Sequence, residues 1–368
     1  MPATPSRSKS KASACCAMSW RDELTRRFPA LAKLGPHSYV VGGAIRDLLL
    51  GREPADADVA CLDPLAAARS IGSRVIRLGD QQHLSAWRVV LPEHVYDFAA
   101  LLDGSIDSDL ERRDFTVNAM AVDLESGELL DPHDGQRDVR EGIVRMVRAE
   151  NFDDDPLRTL KGVRMAVKYG MTIDEATIAA IREHAPKLER VAKERVLYEL
   201  SVIFSSNAFR KAVDLLHRTM LDSVVGFVGA AALSGTATAE GSGRHIPDDV
   251  SLAGALALLG GDDLGWGHVL LRDVHTLRNL IDHHDRIALY DAGESVASQL
   301  PAVLRVLGGE DALDLPDFSI RPLLRGEEIG IAPGPELGRA KRALVEAQVR
   351  GEVTTREEAE AFVRRFTA

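Results

Sequence analysis

Short apolar runs separated by Gly, Pro and Asp mark the first part of the chain. Four of these runs have the β-branched and aromatic composition that is typical of strands, at residues 39–41, 74–77, 87–91 and 95–98. Short stretches with helical spacing lie between them, bounded by turn-forming residues. Over residues 38–146 the pattern therefore predicts a unit that mixes helices and strands.

From Asp155 onward strand signals nearly vanish, and apolar residues recur at helical spacing. Helices are predicted at residues 155–169, 174–184, 193–205, 207–218, 251–259, 266–290, 336–349 and 355–366. Residues 229–246 are rich in Gly, Ala, Ser and Thr and predict a flexible connector, because this composition cannot pack a core. The chain is thus expected to divide into a mixed part at 19–150, a helical part at 151–228, the connector, and a second helical part at 247–368.

Composition narrows the class of protein. The chain has 368 residues, of which 45% are hydrophobic and 27% charged, as in an ordinary soluble globular protein. A disulfide-stapled miniprotein is excluded, and no apolar run reaches membrane-spanning length, so no membrane association is expected. Cys15, Cys16 and Cys61 lack metal-binding spacing and cannot all pair, which predicts a reducing compartment and a cytoplasmic location. The polar residues 1–18 are interpreted as a disordered leader or as the product of an upstream start site.

Charge is distributed unevenly along the chain. Lys and Arg number 45 against 56 Asp and Glu, and the net charge of −11 argues against a protein that coats nucleic acid by bulk charge. The stretch from Arg158 to Lys211 differs, because it contains eleven basic and six acidic residues. A bound polyanion is expected there first.

A pair of glycines, Gly42 and Gly43, directly follows the first predicted strand. Glycines at this point let backbone N–H groups approach an anion, and a helix that begins there adds the positive end of its dipole. Arg46, one turn later, could donate charge-assisted hydrogen bonds to a triphosphate. The alternative is a tight turn in which Arg46 and Asp47 form a surface ion pair.

Asp56 and Asp58 lie two positions apart, so in a strand both carboxylates project from one face. Paired hard oxygen ligands suit Mg²⁺, which keeps several waters and bridges to substrate phosphates. Asp97, the acid inside a later strand-like run, is a candidate third ligand, with a surface acid on an edge strand as the alternative. An isolated Asp-x-Asp is usually a solvated turn, and the upstream Gly-Gly-x-x-Arg-Asp is what favours a metal site.

Paired arginines mark a further cluster. Arg112 and Arg113 stand beside Asp114, an arrangement that suits phosphate oxygens and a ribose hydroxyl. A helix cap with surface charges is the alternative interpretation.

The last cluster opens the helical part. Asp155 is predicted to cap the helix that Pro156 begins, with Arg158 on the same side. Lys161 lies between this side and the apolar arc. Arg164 falls inside the apolar arc, which favours a polar pocket over a solvated face.

Taken in order, these motifs resemble the class II tRNA nucleotidyltransferases, the CCA-adding enzymes, and their relatives the bacterial poly(A) polymerases. The resemblance runs from Tyr39 to Glu199 and resumes weakly between Arg325 and Thr354. It implies an α+β fold with a mixed-sheet nucleotidyltransferase head, followed by an all-helical neck, body and tail that bind RNA. It also implies a Mg²⁺-dependent, template-independent enzyme that acts on tRNA with CTP and ATP, with no DNA partner.

The resemblance assigns roles to individual residues. Gly42, Gly43 and Arg46 belong to the nucleotide-binding turn, Asp56 and Asp58 are the catalytic metal-binding carboxylates, and Arg112, Arg113 and Asp114 contact the ribose and triphosphate. Asp155 and Arg158 contact the edge of the incoming base, with Lys161 and Arg164 beside them. Support comes from Asn118, Glu194 and Arg195, with Glu199 in the same helix motif, and residues 131–138 match a hinge-like element. One fixed acceptor and one fixed donor can read the Watson–Crick edge of C or A.

Two departures from the family pattern change the expected activity. Lys161 stands where the family usually has Arg, so the planar fork for bidentate recognition is lost. Only residues 98–111 separate Asp97 from Arg112, whereas members that complete the CCA end usually carry a longer flexible segment there. The short link favours an enzyme that adds only the two cytidines.

Two minor expectations and two rival functions remain. His283, His284 and Asp285 are interpreted as a surface helix patch, and the basic residues of the late helices contact either tRNA or solvent: Arg339, Lys341, Arg342 and Arg350. A poly(A) polymerase is one rival, although it would usually be longer and carry a basic C-terminal extension. An RNA-binding relative without catalysis is the other, and the intact Asp56 and Asp58 argue against it.

Overall fold

The computed structural model describes residues 19–78, 86–227, 230, 233, 248–261, 264–265, 267–308 and 313–366. The chain divides into two compact units, the first ending at Asn151 and the second beginning at Phe152. The expected boundary between residues 150 and 151 lies one residue away. The predicted leader at 1–18 lies outside the described residues.

The first unit is built on a seven-stranded mixed sheet with the order β3-β4-β5-β2-β1-β6-β7. Its strands are β1 (Ser38–Val41), β2 (Asp56–Cys61), β3 (Val75–Leu78), β4 (Ala86–Val90), β5 (Val95–Ala100), β6 (Ala121–Asp123) and β7 (Leu129–Leu130). Only β2 and β5 run parallel, and every other neighbouring pair is antiparallel. An additional short strand, β8 (Ile143–Val144), follows later in this unit. The predicted mixed-sheet head is confirmed.

Two of the five described α-helices of the first unit start at an N-cap residue whose side chain accepts a backbone hydrogen bond. The five helices are α1 (Trp20–Arg27), α2 (Gly43–Leu49), α3 (Pro64–Ile71), α4 (Ile106–Glu111) and α5 (Gly135–Glu141). The Ser19 side chain accepts a hydrogen bond from the Asp22 amide at the start of α1, and Asp63 caps α3, with Pro64 as its first residue. Buried Val41, Ala60, Leu101 and Leu110 form an apolar cluster that involves β1, β2 and α4.

The second unit is helical. After α6 (Asn151–Asp154), which spans the boundary, its helices are α7 (Arg158–Tyr169), α8 (Glu175–His184), α9 (Lys193–Phe204), α10 (Phe209–Arg218), α11 (Leu221–Val224), α12 (Leu252–Leu259), α13 (His268–Asp282), α14 (Arg286–Ala292), α15 (Glu294–Ala297), α16 (Leu300–Leu307), α17 (Pro335–Val349) and α18 (Arg356–Phe366). The helical character predicted from residue 155 onward is confirmed. No described helix is long and apolar enough to span a lipid bilayer.

The structure corrects four details of this prediction. The unit is not entirely helical, because β9 (Thr172–Ile173) is a short strand. The predicted helix 266–290 is two helices, since the Asp285 side chain accepts from two backbone amides and starts α14. Asp155 is not a helix cap, because α7 begins three residues later at Arg158. Within the predicted connector 229–246, Ala230 and Leu233 are helical and the other residues lie outside the described part.

Candidate active site

A glycine turn connects the end of β1 to α2. Gly42 has φ 75° and ψ −123°, a backbone conformation that L side chains rarely adopt. A Cβ atom at this position would lie 2.7 Å from Arg113 Nη1. The absence of a side chain therefore allows both the turn and the close approach of the Arg113 guanidinium to the backbone.

The two aspartates of the Asp-x-Asp motif lie on β2, directly beside this turn. Val41, the last residue of β1, is paired with Asp58, so the strand register places the turn next to that carboxylate. Asp56 is exposed and Asp58 is half-buried. The pKa of Asp58 is raised to about 6, chiefly by burial; Arg113 acts against this rise, and the nearby charges of Asp56 and Asp97 contribute to it.

Asp97 lies on β5, paired with Asp58 on the neighbouring strand. It is not on an edge strand, because β4 flanks β5 on the other side. Arg88 Nε and Nη2 donate to the two carboxylate oxygens of Asp97 at 2.7 and 2.6 Å. The third-ligand role of Asp97 stays a prediction, and both of its carboxylate oxygens already accept hydrogen bonds from Arg88.

A cavity of about 220 Å³ collects several of these side chains. Asp58, Asp97 and Arg113 line it together with apolar residues that include Val41 and Phe98. Arg113 is held by Asp109, whose Oδ2 accepts from Nη2 at 2.9 Å and from Nε at 3.2 Å. Acidic and basic groups thus converge on one pocket at the centre of the sheet.

Arg46 lies beside the turn, because a Cβ at Gly43 would be 3.4 Å from its Nη2, and its contact with a triphosphate stays a prediction. Arg46 is only 8% exposed, and it donates to Asp47 Oδ1 at 2.8 and 2.9 Å and to the Asn118 side-chain oxygen. Asn118 Nδ2 in turn donates to Asp114 Oδ1 at 3.0 Å. The Arg46–Asp47 pair therefore exists, but it is buried and belongs to a network that joins α2 to the motif around Asp114.

The remaining predicted residues of the first unit lie just after α4 and around the start of α5. Arg112 directly follows α4 and is exposed, whereas Arg113 is half-buried. In the predicted hinge-like element, Asp131 accepts from the amides of Gly135 and Gln136 at 2.6 and 3.0 Å and so caps α5. The hinge role itself stays a prediction.

In the second unit, charged residues surround the start of α7. Asp155 Oδ2 lies 3.0 Å from Arg195 Nη2 on α9 and 3.7 Å from Lys161 Nζ on α7. Arg164 Nε lies 3.0 Å from Glu199 Oε2, and Glu199 is buried. The expected polar environment of Arg164 is thus supplied by one residue of the Glu-Arg helix motif. Arg158 is half-buried at the first position of α7, and Glu194 is exposed.

Two residues were missed by the sequence analysis. Arg88 lies inside the apolar run that predicted β4 and was not considered as a site residue. A cation in a strand projects from one defined face of the sheet, and this could have indicated its place beside the carboxylates. Asp109 precedes Arg113 by four residues, the spacing at which opposite charges pair on helices. Arg88 lowers the pKa of Asp58 in the cavity, and Asp109 holds Arg113 by two hydrogen bonds.

The structure also tests two minor expectations. His283, His284 and Asp285 lie between α13 and α14 and not within a helix. Of the tail cations, Arg342 pairs with Asp291 and Glu346, Arg350 with Glu346, and Arg339 with Glu336. Contact of these residues with tRNA stays a prediction.

The donor set fits magnesium at one place. Asp56 and Asp58 share a face of β2, and the pKa of Asp58 is raised mainly by burial, so a nearby cation would stabilise its ionised form. Mg²⁺ is usually held by one or two carboxylates together with substrate phosphates. Asp56 and Asp58 can supply the two carboxylates. No cluster of three or more His, Cys, Asp or Glu side chains in the described ranges is arranged for a metal.

Family models match both units. The model described as the poly A polymerase head domain matches residues 38–84 and 88–145. The model described as the probable RNA and SrmB-binding site of polymerase A matches residues 170–224.

Curated relatives share large parts of the sequence. A CC-adding tRNA nucleotidyltransferase of Thermus thermophilus is 30% identical over 89% of this chain and 93% of its own length. An A-adding tRNA nucleotidyltransferase of Deinococcus radiodurans is 29% identical over 93% of this chain and 98% of its own length. A CC-adding tRNA nucleotidyltransferase of Synechocystis is 39% identical, but the match spans only 52% of this chain and 47% of that relative.

A solved structure has the same architecture. The CCA-adding enzyme of Bacillus stearothermophilus in complex with CTP is 26% identical, with a TM-score of 0.72, and the match covers 95% of this chain and 98% of that one.

Proposed function

Since this chain belongs to the family of tRNA nucleotidyltransferases and is therefore a nucleotidyltransferase, we propose that it adds cytidine from CTP to the 3′ end of tRNA without a nucleic acid template. The observation that carries the proposal is the register of β1 on β2, which places the Gly42 turn beside Asp58. A triphosphate seated on that turn would lie next to the carboxylate pair. The tRNA partner is supported by the family match over residues 170–224, which overlaps the basic stretch from Arg158 to Lys211.

Asp56 and Asp58 are proposed to hold Mg²⁺. When bound, the metal would supply Lewis-acid stabilisation of the charge on the reacting oxygens. Arg113, fixed by Asp109 and next to Gly42, is positioned to contact the triphosphate with charge-assisted hydrogen bonds. Arg46, Asn118 and Asp114 hold the turn in shape through their hydrogen-bond network.

Asp155 and Arg158 are proposed to select the base. The Asp155 carboxylate is held between Arg195 and Lys161, so it offers an acceptor in a restricted position. Arg158 offers donors at the start of the same helix. A pair of this kind accepts a base with the complementary pattern of donors and acceptors and leaves polar groups unpaired with any other.

Addition of two cytidines without the terminal adenosine is the more specific proposal. A 3₁₀ turn (Leu102–Gly104) and α4 (Ile106–Glu111) occupy the segment between Asp97 and Arg112, and the segment is short. Two of the relatives named above are CC-adding enzymes, but one is A-adding, so the choice must be measured on this chain.

Product analysis on defined tRNAs tests these proposals. One tRNA ends before the three terminal nucleotides and another ends in CC, and each is incubated with Mg²⁺ and with CTP, ATP or both. Addition of two C to the first tRNA with no A on either supports CC addition, and a complete CCA end overturns the CC-only form. Addition of A to the second tRNA alone would identify an A-adding enzyme. Extension beyond three nucleotides would identify a poly(A) polymerase, and tRNA binding without any incorporation would identify a non-catalytic relative.

The state of Cys61 bears on the compartment in which the protein acts. Cys61 carries a free, buried thiol in β2, which is compatible with a reducing compartment. We propose that the protein acts in the cytoplasm.

A further inference from the structure

Arg88 shares a face of the sheet with the carboxylates of the proposed metal site. It is paired with Asp97 across β4 and β5, and Asp97 is paired with Asp58 across β5 and β2. Residues directly opposite each other on neighbouring strands project from the same face. The three side chains Arg88, Asp97 and Asp58 therefore form one row across three strands, with Asp56 two positions from Asp58 on the same face.

The contact between Arg88 and Asp97 uses both carboxylate oxygens. The two hydrogen bonds are 2.6 and 2.7 Å long, and the Asp97 side chain is 19% exposed while that of Arg88 is 40% exposed. A bidentate guanidinium–carboxylate pair has a fixed geometry and is stronger than a neutral hydrogen bond. Asp97 is thus occupied and cannot turn both oxygens toward another cation while the pair persists.

The charges around the row explain why a cation is held there. Three carboxylates, Asp56, Asp58 and Asp97, lie on this face of the sheet, and each raises the pKa of Arg88, with Asp97 contributing most. The other nearby cation, Arg113, is already anchored to Asp109. Without Arg88 the cluster would have an uncompensated negative charge, and a divalent cation is the natural substitute.

We propose that Arg88 is a positioning residue that serves as the resident counter-cation of this carboxylate cluster and competes with the divalent metal for Asp97. The inference goes beyond the proposed function, although it uses the metal-binding role proposed for Asp56 and Asp58. It has a direct consequence: Arg88 keeps the metal affinity of the substrate-free enzyme low.

Metal titration without nucleotide or tRNA tests the inference. Binding of Mn²⁺ to the full-length protein is followed by electron paramagnetic resonance of the free ion. We expect Arg88→Gln to bind Mn²⁺ at least roughly threefold more tightly than the unsubstituted protein, because removal of a nearby positive charge strengthens binding of a cation. A purely structural role for Arg88 would leave the affinity unchanged or weaken it, and either result would overturn the inference.

A matched control removes the same charge from the other face of the sheet. Arg77 on β3 is exposed and is paired with Trp87, the neighbour of Arg88 in β4, so its side chain projects from the opposite face. Arg77→Gln should leave the Mn²⁺ affinity at the level of the unsubstituted protein. An equal gain in both variants would show a general effect of net charge and would also contradict the proposal.

Three further variants locate the effect. Arg88→Lys keeps the charge but loses the bidentate fork, so an intermediate Mn²⁺ affinity is expected, and this milder change tests the inference if Arg88→Gln does not fold. Adding Asp97→Asn to Arg88→Gln should abolish the gain, because the released ligand is then missing, and a gain that persists would contradict competition for Asp97. Asp58→Asn should abolish the Mn²⁺ binding that the unsubstituted protein shows, and if it does not, the failure lies in the proposed metal site and not in the role of Arg88.

Discussion

The carboxylate of Asp155 lies 3.0 Å from the guanidinium of Arg195, a residue forty positions further along the chain. This ion pair connects the segment before α7 to α9. It fixes the acceptor that we propose to contact the edge of the incoming base, because the position of the carboxylate is set from a second helix.

Asp155→Ala is therefore expected to reduce the preference of the enzyme for the correct nucleotide. The ratio of kcat/KM for CTP to that for UTP should fall roughly tenfold, since one hydrogen bond that distinguishes the bases is lost. Single-nucleotide incorporation with each of the four triphosphates measures this ratio. Glu183→Ala, on the exposed side of α8, is the matched control and should keep the original preference. Unchanged fidelity in Asp155→Ala would refute the base-selecting role.

Asp58→Asn is expected to abolish nucleotide incorporation. The loss should be at least about a thousandfold, because the variant removes a metal ligand and a negative charge beside the triphosphate turn. Affinity for tRNA, measured by filter binding at fixed salt, should be nearly unchanged. Asp103→Asn is the control, because Asp103 is exposed on the short segment after β5 and its positive φ tolerates Asn. Substantial incorporation by Asp58→Asn would remove the basis for the proposed mechanism.

The same residue predicts a pH dependence of stability in the metal-free protein. Its pKa rises from an ordinary 3.8 to about 6 in the folded chain, so the folded state binds this proton more tightly than the unfolded state does. Protonation of Asp58 therefore contributes its full stabilisation of the folded state below the pKa of Asp58 in the unfolded chain. This contribution is lost as the pH rises through the pKa of Asp58 in the folded chain. Asp58→Asn should thus gain free energy of unfolding relative to the parent protein between pH 4 and pH 6.5, by about 2 kcal/mol.

Urea unfolding in the presence of EDTA, at several pH values across that range, measures this difference. Added Mg²⁺ should shrink it at the upper end of the range, since a bound cation compensates the ionised carboxylate. A constant difference between the two proteins at all pH values would contradict the raised pKa.

Gly42→Ala is expected to impair CTP binding more than stability. The substitution places a Cβ in an unfavourable backbone region and 2.7 Å from Arg113 Nη1, so the guanidinium must move. The KM for CTP should rise about tenfold, with a loss of about 1 kcal/mol in stability. Gly51→Ala is a well-matched control, because Gly51 also has positive φ but a Cβ there would have no atom within 4 Å. It should show the loss of stability with an unchanged KM.

Many of the strands and helices were predicted correctly from the sequence. Strands β1, β3, β4 and β5 were predicted from their β-branched and aromatic composition, and most long helices because their apolar residues recur at helical spacing. The break before α14 was missed, since a single Asp285 cap outweighs a continuous helical pattern. Strands β6 and β7 were missed because two or three residues are too few for a periodic signal.

The sequence predicted which residues belong to the candidate site, but not which of them contact one another. The Gly42 turn and the Asp-x-Asp pair were both predicted, and their adjacency depends on the register of two strands that the sequence does not specify. The partner of Asp97 was not predicted, because the pairing of Arg88 with it follows from how β4 and β5 align. Arg46 donates to Asn118, and Arg113 donates to Asp109. The sequence analysis predicted neither of these contacts.

The strand that carries Asp56 and Asp58 is an interior one, with β1 on one side and β5 on the other. Its backbone amides are therefore protected from both directions and should exchange with deuterium among the slowest in the first unit. Fraying of the outer strands β3 and β7 would leave both aspartates in place. Enzymatic activity should accordingly persist under mild denaturing conditions until the centre of the sheet itself opens.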